Sequence, residues 1–210
     1  MSLSPRSLLL AAAMATSMAA ASLTAVPAFA QPAAAPVALR GKITALSGDE
    51  LKVHTRNGKD VEVALAPDTA IRAVENAEPK DIAQGSYVGT AAIPQADGTL
   101  KALEVHVFPP SMAGTGDGHR PWDLGNNSTM TNGTVGNLVI SNGRTITVKY
   151  KDGEKKIVVP PDVPIVKLEP GDRSLLKAGT NVVLFASRQP DGKLTARAIS
   201  AGRNGVVPPM

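Results

Sequence analysis

The chain has 210 residues, with 22 Lys and Arg against 18 Asp and Glu, a net charge of +4, and no cysteine. Without cysteine there is no disulfide, no thiol nucleophile, no redox motif and no Cys-ligated zinc site. One Trp, two Tyr and three Phe are too few for a stacking platform of the kind that holds sugars or unpaired bases, so Val, Ile, Leu and Ala must fill any core.

Residues 1–30 read as a secretory signal peptide. Arg6 precedes an apolar Leu/Ala run, and Ala28-Phe29-Ala30 stands before Gln31 in the small-x-small pattern of a cleavage site. No Cys follows that site to take a lipid anchor. Beyond it no apolar run reaches the roughly 20 residues of a membrane span. The expected product is periplasmic or secreted, carries no transmembrane segment after cleavage, and has no access to nucleic acid. Residues 31–36 form an N-terminal linker.

Residues 37–108 and 132–201 read as two copies of one unit. Shifted by a constant offset, Gly41 meets Gly136, Gly48 meets Gly143, Leu51 meets Ile146, Val53 meets Val148 and Gly58 meets Gly153. After a one-residue gap, Pro67-Asp68 meets Pro161-Asp162, Gly85 meets Gly179, Val88 meets Val182 and Asp97-Gly98 meets Asp191-Gly192. Within each copy, runs such as "ELKVHT", "DVEVAL" and "TITVKY" alternate with period two. Asn57-Gly58, Asp97-Gly98, Asn142-Gly143, Asp152-Gly153 and Asp191-Gly192 supply hairpin turns. One short helix is predicted per copy, about Pro79 to Gln84 and Asp172 to Gly179, the second with Asp172 as N-cap and Gly179 as C-cap. The fold class is all-β: two tandem small OB-like barrels, each with one short helix, joined by an ordered loop. A small open sandwich is the alternative. Residues 202–210 form a C-terminal tail.

Between the copies lies the Gly/Pro-rich segment 109–131, "PPSMAGTGDGHRPWDLGNNSTMT". The strings "VALRGKITALSGDELKVHTRNGKDVEVAL" and "DGTLKALEVHVF" resemble exported bacterial domains of unknown function with OB-like barrels. The GHRPWDL-type central string is similar to that of a group of alphaproteobacterial hypothetical proteins, some labelled metal ABC transporter permease. The resemblance implies a link to metals. It does not imply a permease, which needs several membrane spans, and it carries no catalytic residues.

Charge is uneven. The first copy has eight Lys/Arg against ten Asp/Glu, whereas residues 132–210 have twelve against six. The basic half suits an envelope protein or an anionic surface component as partner, or simply a solvated face. His54 shares a strand face with Lys52 and Arg56 and is expected exposed and idle. His106, Met112, His119 and Met130 combine imidazole with thioether, a set that suits copper or zinc. The plainer reading puts His106 on the surface of an edge strand. Arg120, Pro121, Trp122 and Asp123 are expected to form a clasp, with Trp122 as a packed anchor and Asp123 paired with Arg120 or capping the turn at Gly125. Asp117, His119 and Asp123 have the side chains for acid–base hydrolysis, but no nucleophile elbow, zinc-protease motif or P-loop accompanies them. The expected function is therefore a non-catalytic binding or scaffold module of the cell envelope, acting through a groove lined by His106, His119, Arg120 and Trp122. A metal-binding accessory is the second reading and a hydrolase of unknown class the third.

Overall fold

The computed structural model describes residues 37–140 and 144–210. The segments read as a signal peptide, a linker at 31–36 and an Asn142-Gly143 turn lie outside the described residues. The described chain is all-β. In order, the strands are β1 (Val37–Ser47), β2 (Glu50–Thr55), β3 (Asp60–Asn76), β4 (Tyr87–Pro94), β5 (Leu100–Ala102) and β6 (Val105–Val107). Then follow β7 (Gly118–Pro121), β8 (Thr129–Ile140), β9 (Arg144–Tyr150), β10 (Gly153–Val159), β11 (Ile165–Pro170), β12 (Asn181–Arg188) and β13 (Leu194–Gly202). Strand alternation is direct in β2, where Leu51, Val53 and Thr55 are buried and Lys52 and His54 exposed.

The expected short helices are single 3-10 turns, Pro79–Asp81 and Arg173–Leu175. Asp172 does cap its turn, accepting the Ser174 N–H at 2.7 Å. Neither turn propagates, because Ile82 and Leu176 leave helical geometry at once. Gly85 and Gly179 then turn the chain at φ 86° and 90°, a region glycine enters without a Cβ penalty.

β1, β2 and β3 form an antiparallel meander. β3 then pairs in parallel with β13, β13 antiparallel with β12, and β12 antiparallel with β1. These five strands close a barrel around Ile43, Leu51, Val53, Val63, Val182, Leu184 and Ile199. The reading of residues 37–108 as a self-contained barrel is corrected here, because β12 and β13 come from the second copy. The cause is the length of β3. Its 17 residues run on to Asn76 and pair there with β11. The chain leaves the first ring before the Pro79 turn, so β4, β5 and β6 arrive elsewhere. They pair with the second copy's meander: β4 lies against β8, β5 against β10 and β6 against β11. The pairings β8–β9, β9–β10, β10–β5, β5–β4 and β4–β8 also return on themselves. A second cluster, with Val88, Ala92, Val105, Val135, Ile146, Val148 and Ile157, lies within them.

The two copies meet at the β3–β11 ladder. Under the sequence offset Val74 corresponds to Leu168, and these two residues are paired with each other. Arg72 opposite Pro170 corresponds in the same way to Val166 opposite Asn76. This register is its own image under exchange of the copies, so a local twofold axis passes through the Val74–Leu168 pair. One sequence match is displaced. Gly133, not Gly136, takes the place of Gly41: Gly41 lies opposite Val182 and Gly133 opposite Val88. A Cβ on Gly41 would lie 2.8 Å from Thr55 Cα, and one on Gly133 2.8 Å from the Lys149 carbonyl carbon. Among the described residues no helix is long and apolar enough to cross a membrane.

Candidate functional site

A cavity of about 620 Å³ opens beside the β3–β11 ladder, under the central segment. Its apolar wall is Phe108, Trp122, Met130, Leu168, Phe185 and Met210; Arg72, Arg120, Arg197, His106 and Asn132 also line it. Equivalent positions from the two copies line it: Ala38 and Met130, His106 and Ser200. Arg72 is brought there by its place on β3, between Ser200 on β13 and Pro170 on β11. Burial lowers the Arg72 and Arg120 guanidinium pKa values from their ordinary range. Among the described residues no carboxylate neutralises either of them.

One side of the cavity rests on a buried polar node. Glu104 is 0% and His106 4% exposed. Glu104 sits in the break between β5 and β6. Its Oε1 accepts the Ala91 N–H at 2.7 Å, and its Oε2 accepts from His106 Nδ1 at 3.0 Å. That bond sets the ring, leaving Nε2 over Gly89. A Cβ on Gly89 would lie 2.5 Å from His106 Cε1 and 2.6 Å from Asn132 Oδ1, so only glycine admits both side chains. Asn132 Nδ2 donates to the Thr115 carbonyl at 3.1 Å, which fixes the amide orientation. Its Oδ1 and the Trp122 Nε1 are buried without a partner among the described residues. Left unmet, such an atom costs about 1–3 kcal/mol.

The central segment is ordered by local bonds. Trp122 N–H donates to the Ser128 carbonyl at 2.8 Å, and Ser128 Oγ donates back to the Trp122 carbonyl at 2.9 Å. The indole lies against Phe185 of β12, ring centroids 5.8 Å apart, and the Arg120 guanidinium stands 5.6 Å from the indole centroid. Arg120 also donates to the Gly116 carbonyl at 2.8 Å. Asp123 pairs with neither Arg120 nor the Gly125 turn. Its carboxylate takes a two-pronged bond from Arg40 of β1, at 2.6 and 2.8 Å. The Arg40 fork is planar and matches a carboxylate, while Arg120 is already engaged with the indole. The Arg40 bond holds the Asp123 carboxyl below its ordinary pKa. Asp117 accepts from Lys151 N–H at 2.8 Å and from the Tyr87 hydroxyl at 3.3 Å. Burial, with the Asp117 charge second, pushes Tyr87 up to about 12.

Residues 40–106 match a protein-family model. It is described as Domain of unknown function (DUF5666). No curated protein and no solved structure matches the chain. The DUF5666 segment spans β1 to the middle of β6, so its strands contribute to both closed circuits. It contains Arg72, Gly89, Glu104 and His106 and ends before the central segment.

The four residues read as metal ligands do not converge. His106 and Met130 line the cavity. His119 lies opposite Thr131 on β8, and Arg120 opposite Met130, so His119 points to the other face of the sheet. There it bonds Thr131 Oγ1 at 2.8 Å and stacks on Tyr150 at 6.3 Å. Burial, then the charges of Lys155 and Arg120, lower its pKa. Met112 packs against the apolar cluster that holds Phe108 and Leu168. Among the described residues no three His, Asp or Glu are placed to hold a metal ion. The groove lined by His106, Arg120 and Trp122 therefore excludes His119. His106 is not on an edge strand either: β6 lies between β4 and β11. His54 stays half-exposed beside Asp60 at 2.7 Å. Residues 202–210 are no loose tail, since Met210 is buried and its carbonyl accepts from Arg40 at 2.8 Å. Sequence reading passed over Arg72, Gly89, Glu104 and Asn132. Gly89 carried a signal, because glycine inside a strand marks a close approach.

Proposed function

We propose that this protein is a non-catalytic binding module of the cell envelope whose ligand occupies the cavity beneath the central segment. The envelope assignment rests on the signal-like residues 1–30. The binding assignment rests on the cavity: its volume of about 620 Å³ lies within the range of small-molecule sites, and such sites combine apolar walls with a few placed polar groups. We infer also that the circuit β8–β9–β10–β5–β4 is a second OB-like barrel, so that each barrel takes a meander from one copy and a hairpin from the other. The same cyclic strand order in both circuits supports this. Binding between the barrels then draws on both copies.

Trp122 is the sole tryptophan and reports occupancy directly. The test is a titration of the purified protein with small amphiphiles of anionic, neutral and cationic head group, followed by indole emission and melting temperature. At least one class shifts both, and Trp122→Phe keeps the melting shift while losing the emission signal. If no class moves either observable, the binding reading fails.

A further inference from the structure

We infer that the cavity ligand is a small amphipathic anion: an apolar body of roughly the cavity's size carrying one carboxylate or phosphate head. This deepens the binding reading above and rests on it. The apolar wall of Phe108, Trp122, Phe185 and Leu168 requires an apolar occupant to exclude water. The lining charges that no described partner meets are cationic. Arg72, Arg120 and Arg197 line the cavity, and Asp123, the carboxylate among the described lining residues, is already held by Arg40. Arg72 stands on the β3–β11 ladder opposite Pro170, beside the local axis at Val74–Leu168, and Arg120 is braced by the Trp122 ring and the Gly116 carbonyl. Neither guanidinium spends its charge on a described carboxylate. A guanidinium in apolar surroundings is stabilised when an anion meets its planar fork, and carboxylate and phosphate both fit that fork in two-pronged fashion. A neutral ligand leaves these cations unpaired and a cationic one is repelled, so the wall selects by sign as well as by shape. Glu104 does not oppose this, because both of its oxygens are occupied by Ala91 and His106.

The experiment compares decanoate, decyl phosphate, decanol and decyltrimethylammonium on the unaltered protein, by calorimetry and Trp122 emission. Two anions whose tails differ by one methylene separate carboxylate from phosphate preference. Phosphatidylglycerol vesicles form a further arm for a lipid-surface source. The expected result is that an anion binds on the order of tenfold or more tighter than decanol, the worth of one charge-assisted hydrogen bond, and that the cation binds weakest. Arg72→Gln and Arg120→Gln each remove most of the preference of anion over decanol; Arg72→Lys and Arg120→Lys retain part of it. Decanol binding as tightly as the anions overturns the inference while leaving the binding reading intact. Silence from all four soluble probes ends both. Vesicle binding without soluble-anion binding overturns the inference in favour of a surface site. The comparison of native-protein affinities stands even if an arginine variant fails to fold.

Discussion

The hairpin of β4 with β5 and β6 and the hairpin of β12 with β13 occupy equivalent places in the two copies. Both are bent at the same point. β5 ends at Ala102 and β6 starts at Val105, and the β12–β13 register slips between Ala196 and Ala198. Their interiors differ. Where β12 and β13 carry Val183, Ala198 and Ser200, the first hairpin carries Gly89, Glu104 and His106. A buried carboxylate and imidazole are costly to desolvate, and the second hairpin shows that the strand order forms without them. The polar node is therefore an addition to the fold, placed where the cavity opens. Gly89 belongs to the same addition, since the valine found at its counterpart would collide with His106 and Asn132.

The largest effect expected on this contrast follows from breaking the node halfway. Glu104→Ala leaves the Ala91 amide and His106 Nδ1 without their acceptor and is expected to cost about 3–5 kcal/mol. Glu104→Ala/His106→Ser writes the second hairpin's residues into the first. In urea denaturation the double variant should lose at least about 1 kcal/mol less than the sum of the two single losses, the coupling of residues in direct contact. Strict additivity would mean that Glu104 and His106 stabilise the hairpin separately, and the contrast between the hairpins would lose its meaning.

The second effect lies at the head of each hairpin. Tyr87 of β4 and Asn181 of β12 are counterparts, and each ties down the segment that follows its own copy. The Tyr87 hydroxyl donates to the Thr115 carbonyl and to Asp117, both at 3.3 Å. Asn181 Nδ2 donates to the Gly205 carbonyl at 3.2 Å. Only the first of these titrates. Tyr87 is raised from 10.0 to about 12 in the folded protein. The folded state thus holds its proton more tightly than the unfolded chain. The associated stability is fully present below about pH 10 and is lost as pH rises towards 12, on the order of 2 kcal/mol in all. Denaturation midpoints measured from about pH 9 to 11.5 should fall in the native protein and fall less in Tyr87→Phe. An equal fall in both would place the alkaline sensitivity elsewhere.

What the sequence made legible follows the same division. The duplicated strands, the Asp-Gly turns and the buried alternation of Leu51 and Val53 repeat because every copy must form them. The exchange of hairpins was hidden. β4 to β6 present the same apolar face whether they close their own meander or the other copy's, and what decides is the unbroken length of β3 through Asn76. The mismatch of Gly41 with Gly136 arose because β8 has glycines at both 133 and 136, and the strand register places the former opposite Val88. At the site, Arg120 and Trp122 stood out because nothing in either copy matches them, and both line the cavity. His106 was misread as a surface residue because alternation places it with Glu104, and a Glu–His face normally looks to water. Here β6 is covered on both sides: Val105 faces one core, while His106 meets Phe108 edge-on at 5.0 Å.

The smallest effect concerns how the unmatched segment is fastened to one side of the molecule. Arg40 of β1 corresponds in position to Asn132 of β8, one residue before Gly41 and Gly133 respectively. Asn132 looks into the cavity wall, whereas Arg40 reaches out to Asp123. The Asp123 side chain is 53% exposed, so the pair is worth well under about 1 kcal/mol. Its carboxyl is held below the ordinary value of 3.8 by the Arg40 hydrogen bond. A depressed folded pKa gives stability that is present above about pH 4 and lost as pH falls through the folded value. Asp123→Asn should therefore lower the melting temperature slightly at neutral pH, with the difference from the native protein shrinking in acid. Arg40→Ala should cost more, because the Met210 carbonyl loses its donor as well. The discriminating readout is Trp122, one residue away. If Asp123→Asn moves the indole emission while barely moving the melting temperature, the Arg40 bond positions the cavity wall and not the barrel. If the melting temperature falls by much more than a surface pair allows while the emission holds still, the segment is part of the fold's support and the contrast between duplicated frame and added site is drawn in the wrong place.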